Sequence, residues 1–388
     1  MPRILAFLAA MALAAPALAS PPSPEPPLAV VTPVGPAETV FDPKRDACDG
    51  DDLPDTAARA FRDAEGAITL FAMHTLNRAL RGPDFASLKI DCRSPLRSGH
   101  QADPALYDDA SWITATWTED GRRVAGLVHH EFQAHAHEGR CRHKEYLPCW
   151  YNTITGVESL DGGRSFERGR PPAVMAAAPF RQETGQGRHR GFFNPSNIFG
   201  DGPERYVLVS TTGWAGQDSG PCLFRTRTPF DPGSWRAYDG TGFTVRLPDP
   251  YREAPKPKPC VSVRPFPAPV GGVVRHRGTG AWVAVFQASA DGAEFPEAGF
   301  YATASRDLLR WDKPRLVLSG STLYDDPCGT GGRMIAYPSL IDSGSTRRNF
   351  DDVGDTADLY YSELRVDGCQ ITADRQLKRR RVAVRVLQ

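Results

Sequence analysis

A glycine or a proline interrupts this chain every few residues, and between them helical periodicity is almost absent. The sequence holds 36 glycines and 35 prolines, the residues that most often end helices and open turns. Short runs of β-type residues survive between them. WITATW (112–117) is followed by Glu119-Asp120-Gly121 and then VAGLV (124–128), two runs joined by a glycine turn, which predicts a hairpin. Further strands are expected at Tyr206–Ser210, Trp282–Phe286 and Leu359–Ser362. Many short strands and few helices limit the chain to a sandwich, a barrel or a propeller.

Internal repeats choose among these. Three segments run a strand into Ser or Thr, then into an acid-bearing turn, then into an aromatic. They are SLDGGRSFERG with Phe166, residues 222–240 with Trp235, and residues 300–314 with Trp311. Unit openings match as well, NPSNI from Asn194 beside YPSLI from Tyr337. The aromatics lie roughly 70 residues apart, and about 340 globular residues divide into five such units. The expected fold is all-β, a five-bladed β-propeller of four-stranded antiparallel blades.

The chain opens MPRILAFLAAMALAAPALAS. A basic residue, an apolar run and a small-x-small ending predict a signal peptide over residues 1–19, cut before Ser20. Residues 20–45 are proline-rich and are expected to form an extended linker, leaving residues 46–388 as the propeller domain. No later run approaches the roughly 20 apolar residues that span a bilayer, so a secreted or periplasmic protein without membrane insertion is expected. Lys plus Arg balance Asp plus Glu at 46 each, which argues against nucleic acid as the partner. The basic run LKRRRVAV (377–384) reads as a solvated strand end. Eight cysteines, none in a CxxC pair, suggest up to four disulfides in an oxidising compartment, with Cys141–Cys149 the local pairing. No GxSxG elbow, phosphate-binding loop or dinucleotide fingerprint occurs. No cofactor is expected, although the place of a channel ion such as calcium stays open, as does the oligomeric state.

Asp161, in Ser159-x-Asp161-x-Gly163-x-Ser165-Phe166, reads as the peg of a tight turn: its carboxylate accepts backbone amides while glycine supplies positive φ. The motif resembles the Asp-box of sialidases and many other propellers, and Ser305-x-Asp307-Leu308-x-x-Trp311 is a looser relative. Both aspartates are assigned to the fold. Candidate chemistry belongs instead near unit starts, where inner strands point into the channel. Residues 51–63 place Asp55, Arg59 and Arg62 at one inner-strand entry. In VHHEF, alternation puts His130 on one face and His129 with Glu131 on the other. Asn194 and Asn197 offer amides to a hydroxyl-rich ligand, Trp214 offers a ring for stacking, and Tyr337 a channel wall. The spacing HHE…HxH does not match a helical HExxH zinc site, and no metal ligand is assigned.

These fragments resemble the propeller glycosidases of the arabinanase and xylosidase type. That resemblance implies cleavage of an oligo- or polysaccharide with inversion, Asp55 as general base and Glu131 tuning proton affinity. Glu253-Ala254-Pro255 resembles the general-acid motif of the same enzymes and makes Glu253 the acid. Arg59, Arg62, His130, Asn194, Asn197, Trp214 and Tyr337 are the expected substrate-binding residues. Two other readings stand beside this one. Arg59-Ala60-Phe61 resembles the first arginine motif of sialidases, and a non-catalytic glycan- or protein-binding propeller would carry the same turns.

Overall fold

The computed structural model describes residues 25, 27–254 and 258–387; the expected signal peptide lies outside them. The described chain is all-β apart from one four-residue helix, Pro43–Asp46, and short 3₁₀ turns. Strands occur where the short β-type runs predicted them, in five consecutive groups.

The first group is Pro54–Arg62, Ile68–Met73, Ala79–Gly82 and Lys89–Ile90, paired in chain order. The second is Ala110–Thr118, Val124–Gln133, Trp150–Ser159 and Glu167–Ala176. The third runs from Arg190–Phe193 and Glu204–Thr211 through Gly220–Thr226 to Arg236–Tyr238 and Phe243–Val245. A two-residue parallel contact, Arg190 with Tyr151 and Gly191 with Asn152, joins the second and third groups into one ten-stranded sheet. The fourth is Val270–His276, Trp282–Ala288, Gly299–Ser305 and Arg315–Ser319. The fifth is Arg333–Ile341, Thr356–Asp367 and Gln370–Leu387.

The outer strand of the fifth group comes from the other end of the chain. Leu28–Phe41 pairs antiparallel with Gln370–Leu387, from Leu28 opposite Leu387 to Phe41 opposite Leu377. Much of the segment expected as a linker over residues 20–45 is therefore a strand. Its alternate residues Ala29, Val31 and Phe41 are buried, and that apolar face is what a free tether would leave in water.

Apolar layers fill the space between consecutive groups. Phe61, Phe71, Ile113, Val128 and Phe166 cluster between the first and second. Trp117, Ile154, Phe192, Val209 and Trp235 lie between the second and third, and Phe199, Leu208, Trp282 and Phe286 between the third and fourth. Val283, Phe300, Leu359 and Val384 join the fourth to the fifth. A last layer, with Phe41, Leu70, Phe350 and Tyr360, joins the fifth to the first. Each fully buried large side chain contributes about 1.5–3 kcal/mol of transfer free energy, so the layers are the main stabilising term.

Local chemistry fixes the turns. The Asp161 carboxylate accepts the backbone N–H groups of Arg164 at 3.0 Å and Ser165 at 2.9 Å, while Gly162 and Gly163 take φ of 71° and 76°. Asp307 accepts N–H groups from Leu309 at 3.0 Å and Arg310 at 2.8 Å. Both hold turns, as expected, and neither takes part in the polar cluster below. All eight cysteines pair: Cys48–Cys92, Cys141–Cys149, Cys222–Cys260 and Cys328–Cys369. Closing a loop of some 40 residues removes about 4 kcal/mol of unfolded-chain entropy.

Candidate functional site

The first strands of the groups pack on one another, Pro54–Arg62 against both Ala110–Thr118 and Arg333–Ile341, and Val270–His276 against Arg333–Ile341. Most of them are bulged: the register slips between Pro54 and Arg59, Ile113 and Ala115, Val270 and Gly272, and Ala336 and Ser339. A bulge re-aims side chains that a regular strand would send to alternate faces. Two positions add left-handed backbone. Asn194 has φ 45° and Tyr337 φ 59°, each directly before a proline, in the two segments whose sequences match. Asparagine tolerates that conformation; a tyrosine there costs on the order of 1–3 kcal/mol and is held by its surroundings.

Two carboxylates lie among these segments. Asp55 Oδ1 pairs with Arg375 of the fifth group and accepts the Tyr337 hydroxyl at 3.3 Å; its Oδ2 lies 3.6 Å from His74 Nε2. Glu131 Oε2 accepts from the Tyr146 hydroxyl at 2.9 Å and from Gln133 Nε2 at 3.1 Å, and its Oε1 lies 3.1 Å from His129 Nε2. The Asp55 side chain is 15% exposed and that of Glu131 9%. Burial, then the charges of Glu131 and Asp55, hold the Tyr146 phenol well above its ordinary range, so it stays protonated and donates.

His129 links this pair to the third group. The backbone N–H of Asn194 lies 3.0 Å and its side-chain Oδ1 2.6 Å from His129 Nδ1, while Nε2 faces Glu131. The Asn152 amide lies 2.9 Å from the same Nε2. Trp112 stands edge-on between His74 and His129, ring centroids 5.4 and 5.7 Å away. Outside Glu131 a row of rings follows: Tyr146 on Trp150 at 4.7 Å, then Trp150 stacked on His189 at 4.0 Å. The Cys141–Cys149 disulfide closes the loop that carries Tyr146. From the fourth group, Gln287 accepts the Tyr337 backbone N–H at 3.2 Å. All five groups thus supply polar side chains to one place.

Arg59 lies beneath the cluster. Its guanidinium donates to the carbonyls of Thr114 and Gly271 at 2.7 Å each and of Pro195 at 3.1 Å. Burial pushes its pKa down to about 9. It ties its own strand to two other inner strands and to the Asn194-Pro195 segment, and floors a cavity of about 30 Å³ walled by Asn194, Gln287, Tyr324 and Tyr337. Tyr324, half exposed, forms the outer lip.

Of the residues expected at the site, Asp55, Glu131, Asn194 and Tyr337 come together, with Arg59 under them. The others do not. Glu253 is exposed and bonded by both carboxylate oxygens to Arg246, at 2.7 and 3.0 Å; the desolvated setting that keeps an acid protonated is missing there. Arg62 sits at the far end of its strand, over the Phe350 ring at 4.3 Å. His130 points to the opposite face, fully buried, and accepts the Asp109 N–H at 3.2 Å. The Asn197 amide is consumed by the backbone of Val273, at 2.7 and 2.8 Å. Trp214 packs edge-on against Phe180 and Phe192. His74, Trp112, Tyr146, Gln287 and Arg375 were not singled out by sequence. Each is an ordinary residue in a local run, and only the fold brings it to Asp55 or Glu131.

No family model and no curated protein matches the sequence. Among solved structures, similarity is found to the catalytic domain of a GH62 alpha-L-arabinofuranosidase from Coprinopsis cinerea, with TM-score 0.46 and 11% identity over 93% of this chain and 98% of that one. An alpha-L-arabinanase from Cellvibrio cellulosa gives TM-score 0.46 and 11% identity over 84% and 91%. An exo-1,5-alpha-L-arabinanase from a bovine ruminal metagenomic library gives 0.45 and 11% over 88% and 95%. Likeness at this level decides nothing about activity.

Proposed function

We propose that the five strand groups are the blades of a five-bladed β-propeller and that the chain is an exported glycoside hydrolase acting at the cluster around Asp55 and Glu131. The observation that carries the reading is that carboxylates from two different groups sit largely buried in one polar cluster, Asp55 held by Tyr337 and Glu131 by Tyr146, with Trp112 between their neighbours His74 and His129. Glycosidic cleavage asks for that pairing, one carboxyl to protonate the leaving oxygen and a second to activate water or attack directly. Asp55, paired with Arg375, serves as base. Glu131, the second buried carboxyl of the cluster, takes the acid role first given to Glu253. Tyr337, Tyr324 and the Trp150–His189 stack supply ring faces for a sugar, and Asn194 an amide for its hydroxyls. Inversion is the expected stereochemistry. Four disulfides fit an oxidising compartment, and the Asp161 and Asp307 turns fit the Asp-box reading.

A binding propeller without catalysis is the second reading. It is favoured by the close engagement of Asp55 by Arg375 and Tyr337, which leaves little room for an attacking water. The test is a panel of aryl glycosides and polysaccharides offered to the secreted protein. Asp55→Asn and Glu131→Gln should each lower turnover about 10²–10⁴-fold, with melting temperature within about 3 °C of the parent. Unchanged turnover in both variants removes the assignment, and saccharide binding without any turnover transfers it to the binding reading.

A further inference from the structure

A second cleft, of about 1010 Å³, shares no lining residue with the Asp55 cluster and opens between the segment that follows the first strand group and the outer strand of the second. Four arginines line it, Arg97, Arg168, Arg170 and Arg252, against two carboxylates, Asp108 and Glu167; Arg252 is paired with Asp249 at 3.1 Å, which leaves an excess of one positive charge. The chain as a whole has a formal net charge of zero, so this excess is a local arrangement. Arg168 is the anchored member: Nη1 lies 3.2 Å from Asp108 Oδ1 and donates to the Arg97 carbonyl at 2.6 Å. Its Nε is buried without a hydrogen-bond partner among the described residues. Arg97 and Arg170 are exposed and form no ion pair among the described residues. Beside them Leu106, 45% exposed, and the pair Pro171-Pro172 give an apolar ledge.

We propose that this cleft binds a carboxylate-bearing polysaccharide, a segment of polyuronate, and holds the protein on acidic glycan. A planar guanidinium fork matches a carboxylate in two parallel hydrogen bonds, and the ledge takes the apolar face of a sugar ring. Single-stranded nucleic acid would call for exposed aromatic rings on which bases stack; the one aromatic of the cleft, Phe166, is buried. The site is independent of which bond, if any, is cut at Asp55.

Binding of the whole secreted protein to polygalacturonate, to its methyl-esterified form, to heparin and to a single-stranded oligodeoxynucleotide tests the assignment. Polygalacturonate is expected to bind most tightly of the four and to weaken with added salt, as screened exposed charges do. The double variant Arg97→Ala, Arg170→Ala, both solvent-facing positions, should weaken that binding about tenfold or more while leaving melting temperature and turnover of a small aryl glycoside at parental values. Asp55→Asn should bind polygalacturonate as the parent does, which separates this site from the catalytic proposal. Parental affinity in the double variant overturns the proposal, and so does equal affinity for the esterified polymer. Tighter binding of heparin or of the oligonucleotide overturns the choice of carboxylate as the ligand.

Discussion

His129 and His130 are adjacent in sequence and opposite in circumstance. One is hydrogen-bonded into the polar cluster; the other is sealed on the far face, where burial and then the charge of Arg168 push its pKa down to about 3. An unfolded histidine titrates near 6.5. Between these values the unfolded chain takes up a proton that the folded one refuses, so stability is full above pH 6.5 and falls as pH drops toward 3, by about 1.4 kcal/mol per unit at most. His130→Gln keeps an acceptor for the Asp109 N–H and removes the proton linkage. Its melting temperature should fall less steeply than the parent's between pH 6.5 and 3, and parallel curves would contradict the burial argument. Strand alternation made the facing of His129 and Glu131 legible in sequence, because a period of two needs only local residues. Arg375 was not legible, since it reaches Asp55 from 320 residues away. The three-residue likeness around Glu253 misled because it carries no information on what surrounds the carboxylate.

Strands and turns were the most readable level. The Asp161 turn is specified by side chains within five residues of one another, and the predicted hairpin lies in Ala110–Thr118 and Val124–Gln133 as the WITATW and VAGLV runs require. The bulges were hidden, because they arise where inner strands crowd together rather than from any local pattern. Gly271 marks that crowding. A Cβ there would sit 1.9 Å from the Pro338 carbonyl oxygen, next to the left-handed Tyr337. Gly271→Ala should therefore destabilise by about 3 kcal/mol, read from the urea midpoint at unchanged slope, and should lower glycoside turnover by displacing Tyr337. A midpoint equal to the parent's would show that the inner strands have slack and that the bulges are not set by packing.

At the scale of the whole molecule, the spacing of repeated aromatics pointed to an all-β chain of repeated units; the described strands form four sheets, one of them ten-stranded. The join between chain ends escaped the sequence, because Leu28–Phe41 finds its partner at the opposite terminus and its prolines read as a tether. A chain beginning at Asp42 would strip that strand from Gln370–Leu387 and expose a long edge with Val382 and Val384 beside it. Such a chain should melt at least about 5 °C lower and aggregate through the bared edge; unaltered melting would mean that Leu28–Phe41 adds nothing to closure.

The proposed function places a saccharide between Asp55 and Glu131. A crystal structure of Asp55→Asn soaked with the oligosaccharide that the panel selects tests it most directly. A glycosidic oxygen is expected within hydrogen-bond reach of Glu131, with a sugar ring against Tyr337 or the Trp150–His189 stack. Sugar found elsewhere, with the space between residues 55 and 131 filled only by water, would contradict it.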